Sequence, residues 1–125
     1  MNSQRRIFIT GASFTFICVA LGAFGAHALK EILSDSASHQ YELAIRYAFV
    51  HALALMITAL AQPIAVNEKK INLAAWFFGS GICLFSGSLI LLALSGNHLF
   101  AVFTPIGGLC FLIGWVSLIL SMRGH

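Results

Sequence analysis

Residues 7–29 read IFITGASFTFICVALGAFGAHAL, 23 consecutive residues without one charge. Coiled as an α-helix they extend about 34 Å at 1.5 Å per residue. That is enough to cross a bilayer hydrocarbon core of about 30 Å. Three further apolar runs follow, so four spans are predicted at about 7–29, 44–66, 71–95 and 103–122. The second is charge-free from Tyr47 onward, and the third and fourth contain no Asp, Glu, Lys or Arg. Between the spans only short connections remain. The whole chain, residues 1–125, therefore reads as a single all-α, four-pass integral membrane domain.

Composition points the same way. Of the 125 residues, 59% are hydrophobic and 9% charged, and the mean hydropathy is +0.92. A soluble domain carries roughly a quarter charged residues, and a chain of this size in water would lack polar surface to cover itself. These values exclude an ordinary soluble enzyme and a disordered chain. The formal charge of +3 rests on 7 basic and 4 acidic residues, too sparse a basic surface for nucleic acid. The expected partners are membrane lipids, with a second copy of the chain or another membrane protein as the protein partner.

Orientation follows from Lys and Arg in the connections. With the N-terminus inside, the cytoplasmic segments hold Arg5, Arg6, Lys69, Lys70 and Arg123, and the opposite side only Lys30 and Arg46. The prediction is N-in and C-in, in a bacterial inner (plasma) membrane. Reporter fusions after Lys70 and His125 should both report cytoplasm, and one after Asp35 the opposite side. An exported C-terminal fusion would overturn this topology. Gln4-Arg5-Arg6-Ile7 and Ala26-His27-Ala28 mimic an export signal and its cleavage site. Three spans follow, however, and we read the arginines as anchors.

Small residues mark where membrane helices approach. Span one offers Gly11, Thr15, Cys18, Gly22 and Gly25; span three Ala75, Gly79, Cys83 and Ser86; span four Gly107, Cys110, Gly114, Ser117 and Ser121. Alternating steps of three and four residues give the 3.5-residue period of a left-handed supercoil. The expectation is a left-handed four-helix bundle with Gly22, Gly25, Gly79, Gly107 and Gly114 at helix contacts. The three cysteines serve as small packing residues. Thr104-Pro105 reads as an N-cap and first helical residue for span four, leaving 95–103 as an apolar connection.

Span two differs, since Tyr47, His51, Ala54, Thr58 and Gln62 share one face. Polar groups at membrane depth face the bundle and hydrogen-bond there. With span one running outward and span two inward, His27 is placed at a depth similar to His51. His27, Tyr47 and His51 thus form a candidate polar cluster, with His51 bonded to span one, span three or Tyr47. Two histidines on different helices could also ligate haem or, with His98, a metal.

Several segments together resemble the domain-of-unknown-function 423 family. They are Gly22-Ala23-Phe24-Gly25-Ala26-His27-Ala28-Leu29, Tyr47 with His51-Ala52-Leu53-Ala54-Leu55, Ala93-Leu94-Ser95-Gly96, Thr104-Pro105-Ile106-Gly107-Gly108, and Gly114-Trp115. The resemblance runs in order over nearly the whole chain. It implies a small four-span bacterial inner-membrane protein, to which a eukaryotic transmembrane protein is also similar. No activity comes with it.

No phosphate loop, nucleophile elbow or HExxH pattern occurs, so no enzymatic activity and no cofactor are expected. The reading is a structural, accessory or lipid-interacting membrane protein. A small transport or channel component is the alternative, although no acid lies within an apolar run. A haem- or metal-binding electron carrier using His27 and His51 is third.

Overall fold

A computed structural model describes residues 2–124. Its four long helices are α1 (Ser3–Leu29), α2 (Asp35–Ile64), α3 (Glu68–Ser95) and α4 (His98–Ser121), all apolar and long enough to cross a membrane. Among the described residues there is no strand. Helix starts leave backbone N–H groups without partners, and a short polar side chain meets that need four times. Asn2 accepts from the Arg5 N–H, Ser34 from Ala37, Asn67 from Lys70 and Asn97 from Leu99. Gly96, at φ 70°, adopts the left-handed conformation that closes α3, where a side chain would be strained.

Two of these caps correct the predicted boundaries. Helix α2 starts at Asp35 instead of near residue 44, because Ser34 caps it and Asp35 lies in its first turn, where the helix dipole favours a carboxylate. The polar residues before Tyr47 thus extend the helix by more than two turns. Thr104 is not the cap of α4. A 3₁₀ turn, His98–Val102, leads directly into the α-helix at Phe103, so the cap belongs to Asn97. The Thr104 hydroxyl instead meets Ser88 of α3 at 2.6 Å.

Helix α1 packs on α2, α4 packs on α3, and α2 and α3 face each other between them. The ends are tied by backbone bonds: Val66 and Asn67, in the α2–α3 connection, donate to the Ser121 carbonyl closing α4 (2.8 and 3.1 Å). Hydroxyls inside the spans are satisfied locally or across helices. Thr58 donates to Ala54 O, and Ser86 of α3 donates to Ala44 O of α2, each at 2.7 Å. Among the described residues no buried side-chain N or O lacks a partner, as a medium without water demands.

Close approach rests on phenylalanines seated over glycines. Between α3 and α4, Phe85 lies on Gly107, Phe111 on Gly81 and Phe78 on Gly114. Between α1 and α2, Gly11 faces the Ala52 carbonyl and Met56, and Gly25 faces the Tyr41 ring. Gly22 makes only ordinary contact, 3.7 Å from a built Cβ to Ile45. Gly79 is a correction, because a Cβ there would meet nothing within 4 Å, and Cys83 is exposed. The α3 surface that packs on α4 is built from Phe78, Gly81 and Phe85, adjacent to the stripe read from small residues alone. A π turn at Ile82–Ser86 also changes the helical phase, so a strict 3.5-residue seam does not continue through it.

Candidate functional site

His51 is only 4% exposed and sits where α2, α3 and α4 meet. Its Nδ1 lies 2.7 Å from the Tyr47 carbonyl, one turn earlier in α2. Its Nε2 lies 3.0 Å from Trp115 Nε1 of α4. A carbonyl can only accept and an indole N–H can only donate. Nδ1 therefore carries the proton and Nε2 the lone pair, which fixes one neutral tautomer. Protonating Nε2 would set two N–H groups against each other. The imidazole lies flat on Phe111, with ring centroids 3.6 Å apart and planes 8° apart, and the Phe78 ring stands 4.9 Å from Trp115.

The predicted cluster of His27, Tyr47 and His51 is only partly assembled. Tyr47 joins through its carbonyl and its ring, which runs parallel to His51 at 6.2 Å. His27 stands apart and exposed in the π turn closing α1. Gly25 is opposite Tyr41 and Gly11 opposite Ala52, so His51 is level with about residue 12 of α1. That leaves it about 22 Å along the axis from His27. One ion or haem cannot bridge them, which corrects the electron-carrier reading. The expectation of equal depth fails because α2 begins earlier than its apolar run. Trp115 was missed as a partner. An indole N–H at membrane depth needs an acceptor, and that was the available signal.

A second polar group links three helices at the end carrying the N-terminus. Asn72 Oδ1 of α3 accepts from Gln62 Nε2 of α2 at 2.8 Å and from Ser3 Oγ of α1 at 3.3 Å. Gln62 also approaches Ser3 Oγ at 3.3 Å, and Gln4 Nε2 donates to Ala59 O at 2.9 Å. Gln62 belongs to the polar stripe read from the sequence; Ser3 and Asn72 were not singled out.

Beyond this network α1 and α3 separate, and an open-sided groove of about 930 Å³ lies between them. Ile7 and Phe14 of α1, Leu55 of α2, and Trp76, Gly79 and Leu84 of α3 line it. Ser3, Arg6, Thr10 and Asn72 gather at one end. Gly79 thus faces the groove. At the opposite end a smaller cleft of about 590 Å³ separates α1 from α2, beside Tyr41, whose hydroxyl donates to the Leu21 carbonyl at 2.5 Å. Among the described residues no three His, Cys, Asp or Glu converge.

Four apolar helices, a backbone satisfied within them and large side chains turned outward, such as Phe16 and Trp76, define a polytopic integral membrane protein. The chain belongs to the family described as protein of unknown function DUF423, whose pattern matches residues 21–108. It is 41% identical to the UPF0382 membrane protein of Staphylococcus haemolyticus over 118 residues, 94% of this chain and 95% of that one. It is 37% identical to the UPF0382 inner membrane protein YgdD of Escherichia coli, over 95% of this chain and 90% of the relative. The UPF0382 membrane protein of Haemophilus influenzae shares 41% identity over 82% of each chain. With the four spans, these relatives support the multi-pass inner-membrane location expected from the sequence. No solved structure matches.

Proposed function

We propose that this protein is a non-catalytic, lipid-interacting membrane protein whose working surface is the groove between α1 and α3. The groove itself is the supporting observation. It is apolar over most of its length, open to the side and floored by Leu55, and Gly79 keeps it clear although no neighbouring helix requires a glycine there. Its α3 wall runs from Asn72 to Leu84, about 18 Å. One leaflet of hydrocarbon is about 15 Å deep, so an acyl chain lying along the groove matches its length. Filling the bundle centre with the His51, Phe111 and Phe78 rings favours this reading over a central transport path.

Gly79→Leu tests it. Its Cβ enters open space, and leucine is the better helix former, so the melting temperature in detergent should be unchanged or slightly raised. Phospholipid retained through mild-detergent purification, counted by native mass spectrometry, should fall several-fold. Equal retention by the wild type and the variant would overturn the groove as an acyl-chain site.

A further inference from the structure

We propose that the groove takes an anionic phospholipid, its phosphate held by Arg6 and Asn72 at the groove's polar end. This deepens the acyl-chain reading above and rests on it. The first observation is charge. The end of the bundle that opens the groove carries Arg5, Arg6, Lys69, Lys70 and Arg123 against one acid, Glu68. The opposite end carries Lys30 and Arg46 against Glu31, Asp35 and Glu42. Basic residues beside a membrane span attract anionic headgroups, and of these five bases Arg6 lines the groove. A guanidinium offers paired N–H donors that match phosphate oxygens.

The second observation is the hydrogen-bond network. Asn72 Oδ1 is taken by both Gln62 and Ser3, which sets the amide's orientation. Among the described residues its Nδ2, with two N–H donors, meets no acceptor, and it is open to one from outside the network. Asn72 and Arg6 stand on opposite walls of one groove, on α3 and α1. Thr10 adds no donor, because its hydroxyl proton goes to the Arg6 carbonyl at 2.7 Å. Apart from Ser80 and Cys83, the remainder of the lining is apolar or glycine. The groove therefore has a headgroup end and a chain end, in the order a phospholipid needs when its phosphate lies at the membrane surface.

The full-length protein, exchanged into equimolar phosphatidylglycerol and phosphatidylcholine and examined by native mass spectrometry, tests the proposal. Wild type should retain phosphatidylglycerol over phosphatidylcholine by about fivefold, the contribution of roughly one basic residue. Arg6→Gln should bring that ratio towards one while total retained lipid holds steady, because the two lipids share the phosphate and differ in net charge. Asn72→Leu removes an uncharged donor to that shared phosphate and should lower the retention of both lipids at an unchanged ratio; full retention of both overturns its part in the site. Lys69→Gln, outside the groove, should leave the ratio near wild type. No preference in wild type, or a preference that survives Arg6→Gln, overturns the headgroup site. So does an equal loss in Lys69→Gln, which would mean general surface charge. Those results leave the acyl-chain reading standing. That reading fails separately, if Gly79→Leu retains as much total lipid as wild type.

Discussion

Gly107→Leu should be the most damaging single substitution in the bundle, lowering stability by about 3 kcal/mol or more. Overpacking a close contact costs typically 1–3 kcal/mol, and here the obstacle is backbone. A Cβ on Gly107 would run into the Phe85 N and Cα, atoms that cannot move without shifting α3 against α4. Gly114→Leu meets the edge of the Phe78 ring, 2.7 Å from the added Cβ, and should lie within the 1–3 kcal/mol range. Leu118→Met should be nearly silent. Melting temperatures in one detergent would order the set as Gly107→Leu lowest, then Gly114→Leu, then Leu118→Met close to wild type. A Gly107→Leu variant as stable as wild type would mean that α3 and α4 do not meet there.

His51→Leu should cost about 1–3 kcal/mol, the penalty for leaving buried polar partners unmade. It removes the acceptor of the Trp115 N–H and the donor to the Tyr47 carbonyl together. Trp115→Phe strands only Nε2 and should cost less. Because the two side chains share one bond, the double variant should lose less than the sum of the singles, by about 0.5–3 kcal/mol. Additive losses would show that the bond contributes nothing. If His51 were instead a cofactor ligand, the His51→Leu protein would lose a visible chromophore or a bound metal before it lost stability.

Much of this was legible in the residues. The four spans follow from uninterrupted apolar runs such as Ile7–Leu29, because whether a segment crosses the bilayer depends on its own length and polarity. Asn2, Asn67 and Asn97 were equally readable as caps, being short polar residues within a few positions of their runs. Ser34 was not, because it stands 13 residues before the charge-free run that begins at Tyr47. The threonine-proline pair at 104–105 carries the same cap signature seven residues beyond Asn97, so two starts compete in the sequence and the structure uses Asn97. His51 was recognisable as a polar group facing inward. Its partner Trp115, 64 residues away, and its separation from His27 were not.

What the chain determined by itself is thus the number of spans, their approximate limits and the distribution of charge between the two ends. Tertiary structure alone decided which glycines touch a neighbour. Gly81 and Gly79 are two residues apart on one helix, yet one receives Phe111 and the other opens into a groove. The physical reason is that apolar side chains are as comfortable in lipid as against protein. Hydrophobicity therefore does not set how a membrane helix is rotated about its axis. That rotation is chosen by the fit of particular rings into particular gaps on another helix, and by polar groups such as His51 and Trp115 that must find each other.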